Sequence, residues 1–185
     1  MVGDERARWQ VYGERTLYKS PWVELALADV EPPGGERFEH HVVRMPRAAI
    51  AVVLDEEERV LMLWRHRFVT DRWGWELPGG LIDEDEDSAV TAAREVEEET
   101  GWRPREMQRI VGYQPMVGTL DTEHEVFISH GAEHIGGPID PTEAARVEWL
   151  DLDSTLPLIA RGEIWTAGTI IGLLYALASR NARAE

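Results

Sequence analysis

The chain has 185 residues, 19 basic and 35 acidic side chains and no cysteine, which gives a formal net charge of −16. Its length suits one domain with an additional arm, and 43% hydrophobic residues make it too apolar for a disordered acidic protein. The lack of cysteine rules out disulfides and thiol nucleophiles and argues against most zinc and iron–sulfur sites. The negative charge opposes binding to nucleic-acid polymers and to anionic membranes.

Targeting signals are not visible in the sequence. The first residues lack the apolar core of a secretory signal. The longest apolar stretch, residues 164–178, is interrupted by polar residues and is shorter than the roughly 20 residues of a membrane span. We therefore expect a cytoplasmic protein that does not enter a membrane.

Strand patterns fill the first third of the chain. Residues 8–45 contain two apolar runs, 22–30 and 38–45, on either side of a Pro-Pro-Gly-Gly turn. Two further runs, 48–54 and 59–64, flank four acidic residues and predict a β-hairpin.

The remaining pattern alternates between strands and helices. A short strand over 72–77 ends at Pro78-Gly79-Gly80, and a helix capped by Asp87 or Ser88 runs to Thr100, with Gly101 in the left-handed position beyond it. Further predictions are strands over 108–113, 125–129 and 146–152, a loop over 130–141 and a helix over 166–180. This order predicts the α/β class, with a mixed sheet covered by helices.

Half of the net charge lies in one short segment. Residues 83–99 hold nine acidic side chains and one arginine, Arg94, for a net charge of −8. A run of this kind is usually a solvated face.

Helical spacing divides these acids between two faces. At 100° per residue, Glu95, Glu98 and Glu99 share a face about 100° wide, whereas Glu97 lies on the opposite side. Arg94 precedes Glu98 by four residues, which is within reach of an ion pair.

The segment also carries a long spaced motif. Gly80, Glu86 and residues 94–102 follow the pattern G-x5-E-x7-R-E-U-x-E-E-x-G-U, where U is a large apolar residue. Seven fixed positions would match by chance on the order of once in 10⁸ starts. The stretch resembles the signature of the Nudix hydrolases, with Trp102 in place of the commoner aliphatic residue. The resemblance implies an α/β/α sandwich with a mixed sheet.

The same resemblance implies a metal site. Carboxylates on one helical face, without soft ligands, suit Mg²⁺ or Mn²⁺. By resemblance the ligands are Glu95, Glu98, Glu99 and the carbonyl of Gly79. Such a metal would activate a water molecule for attack on phosphorus.

The catalytic side chains are also assigned by resemblance. Arg94 matches the arginine that orients the carboxylates of the motif. The general base stays open between Glu143 in the late loop, the pair Glu123 and Glu125, and a glutamate of the motif such as Glu98.

Residues before the motif point to one subfamily. Residues 75–80, Trp-Glu-Leu-Pro-Gly-Gly, resemble the lead-in of ADP-ribose pyrophosphatases, and Arg65-His66-Arg67 matches the place of their Gln-Tyr-Arg. The resemblance makes Arg67, Arg65 and Trp75 candidate substrate contacts, and a structural ion pair is an equal alternative for Arg67.

The N-terminal strands resemble the arm through which that subfamily dimerises. We therefore expect an arm over 1–45, a Nudix domain over 46–185 and a homodimer.

The substrate is less well defined than the reaction. The subfamily carries Pro about fifteen residues after the motif, where this chain has Val117 and Gly118. We expect a Mg²⁺-dependent pyrophosphohydrolase of ADP-ribose or a nucleotide sugar. The alternatives are a hydrolase of nucleoside triphosphates or another small diphosphate, and a module that senses a nucleotide without cleaving it.

Overall fold

The computed structural model describes residues 7–136 and 144–184. They form two compact units: residues 7–46 with Gln114–Thr122, and the remaining described residues. No helix in these two ranges is long and apolar enough to cross a membrane.

The elements in chain order are β1 (Gln10–Lys19), β2 (Glu24–Glu31), β3 (Phe38–Arg44), β4 (Ala48–Leu54), β5 (Arg59–Arg67), β6 (Arg72–Glu76), β7 (Gly79–Leu81), α1 (Ser88–Thr100), β8 (Trp102–Pro104), β9 (Gln108–Tyr113), β10 (Leu120–Asp121), β11 (His124–His130), β12 (Ala132–His134), β13 (Arg146–Asp151), a 3₁₀ turn (Leu152–Ser154), α2 (Thr155–Ala160) and α3 (Ala167–Ala184).

The first unit is a four-stranded sheet. Strand β2 pairs antiparallel with β1 on one side and with β3 on the other, and β10 pairs in parallel with β3. Strand β1 is an edge of this sheet, and all ten of its residues are exposed.

The second unit is built on a mixed sheet between helices. Its main order is β13-β5-β4-β11-β9, with β6 paired to β5 and β7 paired to β4. The β4–β11 pair is parallel, and the other pairs are antiparallel. Ala92 and Val96 of α1 belong to one apolar cluster, and Leu173 and Leu177 of α3 belong to the other. The predicted mixed sheet covered by helices is confirmed.

Helix α1 begins and ends at the predicted residues. The Asp87 carboxylate accepts a hydrogen bond from the Ala89 N–H at 2.9 Å, which satisfies a free donor of the first turn. Gly101 has φ 71°, a left-handed conformation that glycine adopts without strain, and its N–H donates to the carbonyl of Glu97.

Several short elements differ from the sequence prediction. The predicted loop over 130–141 was wrong at residues 132–134, which form β12 and pair with β8. Helix α2 was not predicted. Elements of three to six residues contain too few side chains to show a periodic pattern, so their partners decide their conformation. Residues 114–122 group with the N-terminal strands, a connection that no sequence signal indicated.

We expect Leu173→Ala to lower the free energy of unfolding by about 2–5 kcal/mol, because it deletes a fully buried side chain of the larger apolar cluster. The adjacent Leu174 on the same helix is about half exposed, so Leu174→Ala should cost about 0.5 kcal/mol or less. Urea unfolding of both variants measures the difference, and equal losses would contradict the assigned packing of α3.

Candidate active site

Alternation along the β5–β6 hairpin separates two sets of side chains. Trp64 is opposite Trp75 in the register, and Arg65 is opposite Gly74, so the arginines and the tryptophans point to opposite faces. Trp75 is buried in the larger apolar cluster, with the guanidinium carbon of Arg146 at 5.0 Å from its ring centroid. The structure therefore places Trp75 in the core, on the face opposite Arg65.

Glu99 is the most enclosed carboxylate of the motif. Arg65 Nη2 donates to Glu99 Oε1 at 2.5 Å, and the N–H of Gly79 donates to Glu99 Oε2 at 2.9 Å. The side chains of Arg65 and Glu99 are each only 5% exposed. Burial raises the pKa of Glu99 to about 7, and the Arg65 charge opposes that increase.

Arg94 connects three other carboxylates. Its Nη2 donates to Glu86 Oε2 at 2.9 Å, and its Nη1 donates to Glu95 Oε1 at 2.9 Å and to Glu98 Oε2 at 3.0 Å. The expected i,i+4 pair of Arg94 and Glu98 is confirmed. Glu98 is 60% exposed, so this carboxylate remains open to solvent while Arg94 holds it.

A glycine allows the helix to approach the sheet. A Cβ atom at Gly80 would lie 2.4 Å from the carboxyl carbon of Glu95, so no larger residue fits without displacing that side chain. Since Gly79 binds Glu99 and Gly80 faces Glu95, both carboxylates meet the backbone of β7. The structure thus brings together four predicted site residues: Gly79, Glu95, Glu98 and Glu99.

These carboxylates are held as ion pairs. Within residues 7–136 and 144–184, no three acidic or histidine side chains lie close enough together to form a preassembled metal-binding group. The donor atoms that converge on β7 are all carboxylate oxygens, which suit a hard divalent cation.

Arg67 is held by an ion pair with Glu76, and part of its guanidinium remains accessible. Its Nη2 donates to Glu76 Oε2 at 2.6 Å and its Nε donates to Glu76 Oε1 at 3.1 Å. Glu76 is buried, whereas the Arg67 side chain is 46% exposed. This pairing orients an accessible guanidinium on the same face of β5 as Arg65.

The three candidates for the general base differ in their surroundings. Glu143 lies outside the described residues. Glu125 is buried and accepts from Arg47 at 3.0 Å and from Arg109 at 2.5 Å, and Arg109 also donates to Glu123 at 3.3 Å. Sequence reasoning missed both arginines of this network. No local signal in the sequence could have indicated it, because Arg47 and Glu125 are 78 positions apart.

Known proteins resemble this chain in sequence and in fold. The NUDIX domain profile matches residues 44–170, which is more than two thirds of the chain. The chain belongs to the Nudix family. It is thus a Nudix hydrolase, as the spaced motif predicted, and hydrolases of this family generally use divalent metal cations.

Individual relatives extend the comparison. The chain is 52% identical over 178 residues to a CMP-5'-(N-acetyl-N-hydroxy-3-aminopropyl)phosphonate hydrolase of Streptomyces rubellomurinus, covering 96% of this chain and 86% of that protein. It is 26% identical to an ADP-ribose pyrophosphatase of Bacillus subtilis, covering 86% and 87%. An ADP compounds hydrolase superposes with a TM-score of 0.83 at 15% identity, covering 95% and 96%, which confirms the Nudix fold.

We expect Glu86→Gln to destabilise this Nudix hydrolase in a pH-dependent manner. The hydrogen bonds from Arg94 and Thr91 lower the pKa of Glu86 to about 2 from an ordinary 4.5. A lowered pKa means that the stabilisation is complete above about pH 4.5 and is lost as the pH falls toward 2.

Urea unfolding of the wild type and the variant from pH 6 to pH 3 measures this effect. The difference between them should shrink steadily toward acid. Glu84→Gln removes an exposed charge from the same loop and should show a small difference throughout. A constant difference for Glu86→Gln would contradict the assigned pairing.

Proposed function

We propose that the chain is a Mg²⁺- or Mn²⁺-dependent pyrophosphohydrolase. Its substrate is a nucleoside diphosphate linked to another moiety, such as ADP-ribose or a nucleotide sugar. The observation that supports this reaction is that Glu99 and Glu95 lie at Gly79 and Gly80 and that Arg94 joins Glu95 to Glu98, in a chain of the Nudix family. Water attacks one phosphorus atom, and two phosphomonoesters leave.

In this proposal the oxygens of Glu95, Glu98, Glu99 and the Gly79 carbonyl hold the cation. The donor set fits, because all four are hard oxygen ligands and the three glutamates share one side of α1. When bound, a divalent cation neutralises phosphate charge and lowers the pKa of a coordinated water molecule.

The side chains of the protein have separate tasks. Arg94 holds Glu95 and Glu98 on one side of the helix. Arg67, anchored by Glu76 and half exposed, is the guanidinium that we assign to a substrate phosphate, because Arg presents paired donors to phosphate oxygens. Glu98 is exposed and is our candidate to accept a proton from the attacking water.

A second substrate class is favoured by one relative. The 52% identical Streptomyces protein is named for a compound in which CMP is attached to a phosphonate. Both substrate classes join a nucleoside 5'-phosphate to a second phosphorus-containing group, so the same carboxylate face and Arg67 would serve either one. The groups that contact the nucleoside distinguish the two classes.

The decisive experiment is a substrate panel with Mg²⁺, containing ADP-ribose, GDP-mannose, NADH, 8-oxo-dGTP and a CMP-linked phosphonate. We expect one of the three nucleoside-linked classes to be hydrolysed: ADP-ribose or GDP-mannose to two phosphomonoesters, or the CMP phosphonate to CMP and a free phosphonate. Glu98→Gln should reduce kcat on that substrate by about a hundredfold or more, because it removes a carboxylate that acts on the reacting water.

Glu97→Gln is the matched control. Glu97 is on the other side of α1 and pairs with exposed Arg103, so its loss should leave kcat within about twofold of the wild type. Full activity of Glu98→Gln, or cleavage of 8-oxo-dGTP alone, would contradict the proposed function. Binding of a nucleotide with Mg²⁺ but without any product would instead support a sensing module.

We also propose that the protein is a homodimer formed through β1. This strand is an edge of the first sheet, and edge strands offer unpaired backbone groups to a second chain. It exposes Val11, Tyr12, Leu17 and Tyr18, a larger apolar surface than one strand of a monomer ordinarily leaves in water.

The double variant Val11→Glu and Leu17→Glu should therefore be monomeric, because it places charge in the apolar strand. Light scattering after size-exclusion chromatography measures the mass. Phe68→Glu alters a more exposed apolar residue of the second unit and should remain dimeric. A monomeric wild type, or a double variant that stays dimeric, would refute β1 as the interface.

A further inference from the structure

Arg65 places a permanent positive charge in the wall of the candidate site. Its guanidinium contacts Glu99 at 2.5 Å, and both side chains are 95% buried. The guanidinium of an arginine carries a positive charge in proteins.

This charge changes the balance of the whole cluster. Four glutamates of the motif are paired with two arginines, so the cluster has a net charge of −2. These residues are Glu86, Glu95, Glu98, Glu99, Arg65 and Arg94. Without Arg65 the net charge would be −3. Because Arg65 and Glu99 are buried, solvent and salt screen this contribution less than they screen a surface charge.

The contact also keeps Glu99 in place. Arg65 binds one carboxylate oxygen and the Gly79 N–H binds the other, so the carboxylate has a fixed orientation against β7. Each oxygen can accept a second partner, which leaves Glu99 able to bind a cation while both contacts persist.

We propose that Arg65 is a positioning residue that sets the affinity of the carboxylate face for divalent cations, and that it lowers this affinity through its buried charge. The inference rests on the proposed function, because it takes Glu95, Glu98 and Glu99 as the ligands. A like charge fixed near the ligands repels an incoming cation, and this repulsion is strong where water is excluded.

The test measures binding of Mn²⁺ alone by full-length wild type and variants at pH 8.0, from the electron paramagnetic resonance signal of free Mn²⁺. Arg65→Gln removes the charge and retains an N–H donor for Glu99. We expect it to bind Mn²⁺ about tenfold more tightly, which corresponds to about 1.4 kcal/mol. Arg65→Lys retains the charge and should bind within about twofold of the wild type.

These two variants separate charge from geometry. If Arg65 only oriented Glu99 through its hydrogen bond, neither variant would bind Mn²⁺ more tightly than the wild type, because both retain an N–H donor. If Arg65 only supported the fold, both variants would bind more weakly. Either result would overturn the inference. Arg103→Gln, which removes an exposed arginine paired with Glu97, is the matched control and should not change the affinity.

Arg65→Gln leaves a buried carboxylate without a charged partner, so the test is repeated in a second background in case the single variant misfolds. In Glu99→Gln, adding Arg65→Gln removes the charge of both members of the buried pair and should again tighten Mn²⁺ binding. Failure to tighten there would overturn the inference even if the single variant does not fold. A wild type that binds no Mn²⁺ would refute the proposed function together with the inference. If the wild type binds Mn²⁺ and removing the Arg65 charge leaves the affinity unchanged, the inference alone is refuted.

Discussion

Repulsion among the carboxylates on one face of α1 is the constraint on which the site depends. Glu95, Glu98 and Glu99 lie within one helical turn and a third, and like charges at these spacings oppose helix formation. Arg94 and Arg65 relieve this repulsion from two sides, Arg94 from the helix itself and Arg65 from strand β5. The carboxylates can therefore share one side of α1 in the folded chain before any cation or substrate arrives.

The backbone around the motif makes that arrangement possible. Strand β7 pairs with β4 through Gly79 and Gly80, and this pairing fixes the two glycines in the main sheet. The packing of Ala92 and Val96 in the apolar cluster then sets the distance between α1 and the sheet. Because Gly80 has no side chain, the Glu95 carboxylate can reach the backbone of β7. The contacts that hold β7 and α1 in the fold therefore also position the carboxylates of the site.

Local spacing explains which parts could be predicted from the sequence. Residues of α1 are related by a helical period, so the shared face of Glu95, Glu98 and Glu99, the Arg94–Glu98 pair and the ends of the helix all follow from positions within a few residues. The metal ligands, the substrate contact at Arg67 and the arm came by resemblance and remain predictions.

Long-range pairing explains what the sequence did not reveal. Arg65 and Glu99 are 34 positions apart, and Arg47 and Glu125 are 78 apart, so no periodic pattern joins them. Sequence reasoning treated Arg65 as a substrate contact, because it could not show that a buried carboxylate already occupies its guanidinium. Likewise, the pairing of β10 with β3 depends on tertiary structure rather than on the two residues of β10.

The net charge of −16 has two different consequences. Over most of the surface the negative charge disfavours binding of long polyanions such as nucleic acids, because it repels their phosphates. At α1 the same sign attracts divalent cations, and a small pyrophosphate then approaches a face whose negative charge has been neutralised. In our proposal this face and Arg67 contact only phosphorus groups, so they set the bond that is cleaved rather than the identity of the nucleoside. Selection between an ADP-linked and a CMP-linked substrate must therefore depend on side chains outside residues 75–102.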